Sequence, residues 1–210
     1  MGQGKFITLE GGEGAGKSTQ ARRLAEALSA TGLPVLLTRE PGGAPGAEHL
    51  RQLLLGGPID WSPQAETLLH FAARAEHVER TILPALAEGM WVVCDRFADS
   101  TMVYQGDGQG ADRRSISTLT SLLRARPDLT LVLDVSVETT LARLAQRGGT
   151  ADRYERLGAP FFATIREGFR DIARTDFQRC ALIDAQPDEQ TVAAEIFAAV
   201  QVRLAPEIKR

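Results

Sequence analysis

The residues Gly11-Gly12-Glu13-Gly14-Ala15-Gly16-Lys17-Ser18 form a glycine-rich stretch that ends in a lysine and a serine. The stretch matches the pattern G-x-x-x-x-G-K-[ST]. Glycines allow positive φ angles, which let several backbone N–H groups surround one phosphate group. A chance match in a chain of this length has a frequency of roughly one per cent. The stretch therefore predicts a nucleotide phosphate site, the alternative being an ordinary glycine-rich turn.

The sequence on either side of this stretch has the pattern of a strand and a helix. An apolar run, residues 6–9, precedes it, and apolar residues recur at helical spacing from Ala21 to Leu28 after it. A glycine-rich loop between a strand and a helix is the setting of a P-loop. We therefore expect ATP binding, with a solvent-facing Lys17 that reaches the β- and γ-phosphates and Ser18 as a Mg²⁺ ligand. The expected ATP-binding residues are Gly12, Glu13, Gly14, Ala15, Gly16, Lys17, Ser18 and Thr19.

The rest of the chain continues the alternation of strands and helices. Further apolar runs predict strands at residues 35–38, 91–94, 130–133 and 181–183. Because near-continuous apolar strands that alternate with amphipathic helices are typical of parallel sheets, we predict an α/β chain with the three-layer P-loop NTPase fold. It comprises a five-stranded parallel sheet with helices on both faces, in a single domain over residues 1–210. A polar, glycine-containing segment at about 147–158 is predicted to be a mobile insertion.

The composition excludes some classes of function. The formal net charge is −3, which disfavours a protein whose main task is to grip a nucleic-acid backbone. No apolar run approaches the length of a membrane span and no export signal is visible, so we expect no membrane partner and a cytoplasmic location. Cys94 and Cys180 each lie in a short apolar run, which is typical of buried thiols in a reducing compartment rather than of a disulfide.

A second polar motif, Asp95-Arg96, directly follows the predicted strand at residues 91–94. Ligands of parallel α/β sheets bind beyond the carboxyl ends of the strands, where this pair is expected. Asp95 could hold Mg²⁺ together with Ser18, and Arg96 could bind a phosphate group. The alternative is that Asp95 is only a turn residue.

No catalytic-loop aspartate of the protein-kinase type is visible in the sequence. An acceptor phosphate needs no such base, since its second pKa is about 6 and it is largely ionised at neutral pH. Bringing two phosphate groups together instead requires several cations. The candidate arginines are Arg39, Arg51, Arg74, Arg96, Arg143, Arg147, Arg153 and Arg156.

Five further segments are spread over nearly the whole chain. They are Thr38-Arg39-Glu40-Pro41-Gly42-Gly43, Phe71-Ala72-Ala73-Arg74-Ala75-Glu76-His77, Cys94-Asp95-Arg96-Phe97, Tyr104-Gln105-Gly106 and Asp152-Arg153-Tyr154-Glu155. Together, and in this order, they resemble the motifs of the bacterial thymidylate kinase family. The resemblance implies a homodimer that converts ATP and dTMP into ADP and dTDP, in dTTP biosynthesis. It also suggests a cis peptide bond before Pro41.

The resemblance further implies roles for single residues of the acceptor site. Phe71 is expected to stack on thymine, and Arg74 to bond a carbonyl oxygen of the base. Arg96, helped by Arg51, is expected to hold the acceptor phosphate. Glu13 is expected to lie near a sugar hydroxyl.

The same resemblance implies roles for five more residues. Ser100 and Thr101 are expected to contact the base, and Tyr104 and Gln105 to line the sugar and base pocket. The resemblance also implies that the insertion at about 147–158 is a lid. Because the variable P-loop positions carry no basic residue, the missing positive charge is expected from Arg153 in this lid. The expected catalytic residues are thus Lys17, Arg96, Arg153 and Glu13.

Two other functions are compatible with a P-loop. One is a kinase of a different small acceptor, and the other is a P-loop switch or regulatory ATPase whose hydrolysis drives partner binding. The several arginines favour a second anion site, which a switch does not need. Three histidines, His49, His70 and His77, lack metal-ligand spacing, so we expect hydrogen-bonding or helix-surface roles for them.

Overall fold

A central parallel sheet organises the chain. The structure is a computed structural model that describes residues 4–56, 59–147 and 154–204. The strands lie in the order β2-β3-β1-β4-β5, and every neighbouring pair is parallel. Their bounds are β1 Phe6–Gly11, β2 Val35–Arg39, β3 Trp91–Asp95, β4 Leu129–Asp134 and β5 Cys180–Asp184. All five predicted strands are confirmed, each extended by one or two residues at its ends.

Helices connect the strands, as the amphipathic patterns predict. In the described part of the chain they are α1 Lys17–Ala30, α2 Pro45–Gly56, α3 Pro63–His77, α4 Leu83–Ala87, α5 Ala98–Thr101, α6 Arg113–Ser121, α7 Val137–Arg147, α8 Gly158–Thr175 and α9 Glu189–Leu204. A short 3₁₀ turn, Glu155–Leu157, precedes α8. Because parallel strands need crossover connections, each strand-to-strand link carries at least one of these helices.

The helices cover both faces of the sheet, which confirms the layered prediction. On one face, Ile7 and Leu9 of β1 belong to a buried cluster with Leu24 and Leu28 of α1. Side chains alternate along a strand, so β4 turns Val132 to the other face. There Val132 belongs to a second cluster, which includes Ile165 and Phe169 of α8.

Two π-helical turns interrupt the helical connections in the described ranges. The first, Val78–Ile82, joins α3 to α4, and Pro84 lies two residues after its end. Proline has no N–H group and its ring clashes with the carbonyl of residue i−4, so a regular α-helix cannot continue through this point. The second, Met102–Gly108, continues α5. Its position beside the P-loop fits the tendency of π turns to occur at functional sites.

The strand order brings the predicted motifs together. β1 lies between β3 and β4, with Leu9 opposite Asp95 and Gly11 opposite Leu133. The loop after β1 and the Asp95-Arg96 pair after β3 therefore emerge side by side at the carboxyl edge of the sheet.

Both cysteines are free and buried, as expected. Among the described residues, none of the helices combines the length and the apolar character that crossing a bilayer requires.

Candidate active site

A cleft of about 640 Å³ opens at the carboxyl edge of the sheet. One side is formed by the P-loop and the first turn of α1, and the other by β2, β3, α3 and the turns after β3. Of the predicted site residues, those that line it are Glu13, Gly14, Gly16, Lys17, Ser18, Thr19, Arg51, Arg74, Asp95, Arg96, Ser100, Thr101, Tyr104 and Gln105. The fold thus brings most of the predicted site into one space.

The P-loop has the backbone geometry that its glycines predict. Gly14 and Gly16 have φ angles of 67° and 86°, in the left-handed region that side chains disfavour. Gly16 is the N-cap residue of α1 and has no side chain to bond the first N–H groups of the helix. These N–H groups are therefore available for an anion at the helix N-terminus.

Lys17 is more buried than predicted. We expected a solvent-facing lysine, but only 7% of it is exposed, and its Nζ donates a 2.6 Å hydrogen bond to the carbonyl of Gly12. The first turn of α1 packs under the P-loop, which brings the side chain into the wall of the cleft. Burial, followed by the nearby charge of Arg96, lowers the pKa of Lys17 to about 8.

Ser18 and Asp95 form a site that fits Mg²⁺. The hydroxyl of Ser18 donates a 2.5 Å hydrogen bond to Oδ2 of Asp95. The other carboxylate oxygen, Oδ1, is buried and has no hydrogen-bond partner among the described residues. Mg²⁺ prefers oxygen ligands and is usually held by one or two protein groups, substrate phosphates and water. The pair therefore suits a magnesium ion that arrives with a nucleotide.

Arg96 joins the P-loop to the turns after β3. Its Nη2 forms a 2.6 Å ion pair with Oε1 of Glu13, and its guanidinium carbon lies 4.9 Å from the ring centre of Tyr104. Nη1 contacts the hydroxyl of Ser100 at 3.2 Å, and the hydroxyl of Tyr104 donates to Glu13 at 3.0 Å. Burial alone would lower the pKa of Arg96, but Tyr104, Glu13, Asp95 and Glu10 together outweigh it and keep the pKa well above its ordinary value. Three predicted residues, Glu13, Ser100 and Tyr104, thus surround the permanent cation of Arg96.

Arg74 is held deep in the opposite wall of the cleft. Its Nε donates to Glu40 at 2.6 Å, Nη2 donates to the carbonyl of Phe97 at 3.0 Å, and both Nη atoms contact the hydroxyl of Thr101. These bonds use four of the five guanidinium N–H groups and leave one on Nη1. Glu40 also accepts from His77, which is fully buried. The hydrogen-bonding role predicted for His77 is therefore confirmed.

The structure corrects the position expected for Phe71. The ring is buried in a cluster with Ala111 and Ile116, behind Arg74, and does not line the cleft. The neighbouring residue His70 lines the cleft instead. Consecutive helical residues point about 100° apart, so a shift of one position decides which ring faces a ligand.

Other residues that the sequence analysis did not single out support the pocket. Glu66, fully buried in the first turn of α3, accepts hydrogen bonds from the amide of Gln105 and from the hydroxyl of Tyr154. Gln105 also donates to Tyr154 at 3.0 Å. Tyr154 lies in a motif that the resemblance includes, whereas Glu66 resembles an ordinary acidic residue of a helix start and gives no signal in the sequence.

Two predicted arginines lie at the edges of the site. Arg51 donates a 2.7 Å hydrogen bond to the carbonyl of Pro41, and the Glu40–Pro41 peptide bond is cis, as suggested. Arg143 donates to the carbonyls of Gly14 and Ala185, which places it between the P-loop and the loop after β5. Arg153 and the rest of residues 148–153, half of the predicted lid, lie outside the described residues.

Comparisons with known proteins agree with this arrangement. A family model described as "Thymidylate kinase" matches residues 9–196. The chain belongs to the thymidylate kinase family. A curated thymidylate kinase of Dinoroseobacter shibae is 52% identical over 201 residues, which are 95% of this chain and 97% of the relative. One of Caulobacter vibrioides is 51% identical over 97% of this chain and 99% of its own length.

A solved structure shows the same likeness in three dimensions. The crystal structure of a thymidylate kinase from Ehrlichia chaffeensis has a TM-score of 0.79 and 34% sequence identity, and the match covers 96% of this chain and 100% of that chain. The predicted family and P-loop NTPase fold are confirmed. The chain is thus a phosphotransferase of the thymidylate kinase family, with dTMP as the nucleotide that it phosphorylates in dTTP synthesis.

Proposed function

We propose that the chain transfers the γ-phosphoryl group of Mg·ATP to the phosphate of dTMP, within one domain that spans residues 1–210. The observation that carries this proposal is that two sets of anion-binding groups face the same cleft. Lys17 and the P-loop form one set, and Arg96, with Arg51 nearby, forms the other. A regulatory P-loop ATPase needs only the first set.

The ATP side of the cleft uses the backbone of the P-loop together with three side chains. We assign Lys17 to the β- and γ-phosphates, where its ammonium group neutralises charge that develops during transfer. Ser18 and Asp95 would hold the magnesium ion, which lowers the negative charge of the phosphate groups when bound. The proximity of Ser18 to Asp95 and the buried Oδ1 atom support this assignment.

The dTMP side needs cations but no general base. The phosphate of dTMP is itself the nucleophile and is largely ionised at neutral pH. We assign Arg96 to this phosphate, helped by Arg51, because a guanidinium group can bind phosphate oxygens through two parallel hydrogen bonds. Glu13 and Tyr104 orient Arg96 and border the space for the sugar. We keep Arg153 as the proposed source of additional charge from the lid.

The base pocket lies deeper, between α3 and the turns after β3. The remaining N–H group of Arg74 suits a carbonyl oxygen of thymine, while Ser100, Thr101 and Gln105 provide polar contacts around it. For the ring that stacks on the base, we propose His70 in place of Phe71. Imidazole rings stack on nucleobases as other aromatic side chains do.

Replacing His70 with alanine is expected to raise KM for dTMP by about 5- to 150-fold, because a stacking contact contributes about 1 to 3 kcal/mol per base. The matched variant Phe71→Leu is expected to lower Tm with little change in KM, since its ring packs in the core. Steady-state kinetics and thermal unfolding of both variants separate the two roles. A large effect of Phe71→Leu on KM, with none from His70→Ala, would return the stacking role to Phe71.

Two further proposals concern the setting of the enzyme. We propose that it is a homodimer, for which the half-exposed Leu53 on α2 and Leu68 on α3 offer apolar surface on two helices that pack together. We also propose that it works in the cytoplasm. The buried free thiols Cys94 and Cys180 support this location, because disulfides are rare in reducing compartments.

Release of ADP with and without dTMP tests the proposed reaction. A kinase is expected to release ADP rapidly only when dTMP is present, in a 1:1 ratio with dTDP. The comparison should include no acceptor, dTMP, and a mixture of other nucleoside monophosphates. Rapid ADP release without any acceptor would instead favour a regulatory ATPase, and release that only the mixture supports would favour a kinase of another acceptor.

A further inference from the structure

Glu10 is a fully buried carboxyl group at the carboxyl end of β1, next to the P-loop. Its side chain does not line the cleft. Instead, Oε1 accepts hydrogen bonds from the backbone N–H groups of Phe97 at 2.8 Å and Ser100 at 3.2 Å, and the hydroxyl of Ser100 donates to Oε2 at 2.6 Å. All three bonds run to the segment that follows Arg96.

This segment carries a backbone conformation that needs support. Arg96 has a φ angle of 71°, and it is the one residue other than glycine with a positive φ in the described part of the chain. Such a conformation is unfavourable for a side chain and persists only where the surroundings hold it. The backbone N–H of Arg96 donates to the carbonyl of Leu9 at 2.9 Å. Two consecutive residues of β1, Leu9 and Glu10, therefore hold the chain at Arg96 and directly after it.

The surroundings of Glu10 disfavour the charged form of its carboxyl group. Burial and the nearby charge of Asp99 raise its pKa to about 7, although the bonds to Ser100 and Phe97 and the charge of Arg96 act in the opposite direction. Asp99 is itself paired with Arg179 at 2.7 Å. An apolar side chain would avoid this cost, so the carboxyl group is best explained by the three hydrogen bonds that it accepts.

We propose that Glu10 is a positioning residue for the acceptor phosphate, because it fixes the backbone from Arg96 to Ser100 and thereby aims the guanidinium group of Arg96 into the cleft. This inference rests on the proposed role of Arg96 in binding the phosphate of dTMP. Glu10 does not touch either substrate in this account and acts only through Arg96 and Ser100.

Two replacements of Glu10 separate its hydrogen bonds from its charge. Glu10→Met keeps the length of the side chain but removes the strong acceptors, and is expected to raise KM for dTMP at least about tenfold, with KM for ATP changed by about twofold or less. Glu10→Gln keeps a carbonyl oxygen for the two N–H groups and an amide for Ser100, and is expected to stay within about threefold of the wild type. Rescue by glutamine marks the hydrogen bonds as the cause.

Thr8→Val provides the matched structural control. Thr8 is buried on the same strand, two residues before Glu10, and the hydrogen bond of its hydroxyl runs to Thr130 at 2.7 Å rather than directly to the segment from Arg96 to Ser100. This variant is expected to lower Tm and to leave both KM values within about twofold of the wild type. If Glu10→Met does not fold, Glu10→Asp serves in its place, because its side chain is one methylene shorter and moves the carboxylate away from its partners. This variant is also expected to raise KM for dTMP while leaving KM for ATP nearly unchanged.

Calorimetric binding of dTMP in the absence of ATP distinguishes this inference from the proposed function. Weaker binding by the Glu10 variants than by the wild type and Thr8→Val supports the positioning role. A wild-type protein that does not bind dTMP would contradict the proposed function. A wild type that binds dTMP, together with a folded Glu10→Met or Glu10→Asp variant that binds it equally well, would overturn the role of Glu10 alone. Equal increases in KM for ATP and dTMP would also overturn it.

Discussion

Replacing Lys17 with alanine is expected to lower kcat by two to four powers of ten, the equivalent of roughly 3 to 5 kcal/mol of transition-state stabilisation. The ammonium group neutralises charge on the phosphoryl group in transfer, and a buried site strengthens this interaction because water screens it less. Within the described part of the chain, the side chain of Lys17 donates a single hydrogen bond, to the carbonyl of Gly12 in the same loop. The loss should therefore affect catalysis far more than folding.

Single-turnover rates at saturating ATP and dTMP measure this effect without a contribution from product release. Circular dichroism and Tm establish that the variant is folded. Lys17→Met serves as a second variant that fills the same space without charge and should show the same loss. A folded Lys17→Ala variant with normal turnover would remove the P-loop assignment.

Replacing Arg96 with alanine is expected to reduce kcat/KM for dTMP by at least about a hundredfold. The variant loses the proposed phosphate ligand and leaves Glu13 without the cation that is now 2.6 Å away. Without that cation the carboxylate of Glu13 repels the acceptor phosphate more strongly, so the loss exceeds that of one hydrogen bond.

Three comparisons identify the cause of that loss. Arg96→Lys keeps the charge but not the planar pair of donors, and should recover only part of the activity. Glu13→Gln in the Arg96→Ala background removes the repulsion and should also recover part of it. Arg124→Ala removes an exposed arginine that pairs with Glu79 on the surface and should have no effect. A fully active Arg96→Ala variant would exclude Arg96 as the phosphate ligand.

The sheet and the P-loop could be predicted because their signals are local. Buried parallel strands need nearly continuous apolar runs, and the phosphate loop needs glycines at fixed spacing. The apolar run at residues 6–9 therefore predicts a strand, and Gly16 in its motif predicts the loop. The layered fold then follows from the alternation of strands and helices.

The buried contacts that support the site could not be predicted in the same way. Glu40 and Glu66 are buried carboxylates that orient Arg74 and Gln105, and their role depends on partners 34 and 39 residues away along the chain. The choice between His70 and Phe71 depends on the rotation of α3 about its axis. Both residues lie on a helix with buried positions on more than one side, and the apolar pattern does not decide which ring faces the cleft.

The choice of acceptor nucleotide reports on the base pocket and on catalysis at once. The remaining N–H group of Arg74 is a donor, which suits the O4 carbonyl of thymine, whereas the amino group of cytosine would place two donors against each other. Thymine and uracil differ by one methyl group. The kcat/KM for dTMP is therefore expected to exceed that for dUMP by a factor that corresponds to only about 1 to 3 kcal/mol. The measurement is a competition of dTMP, dUMP, dCMP and dAMP at equal concentration with limiting ATP, with all diphosphate products quantified. We expect dTDP as the main product, dUDP as the minor one, and almost no dCDP or dADP; phosphorylation of dCMP or dAMP as fast as dTMP would contradict the account.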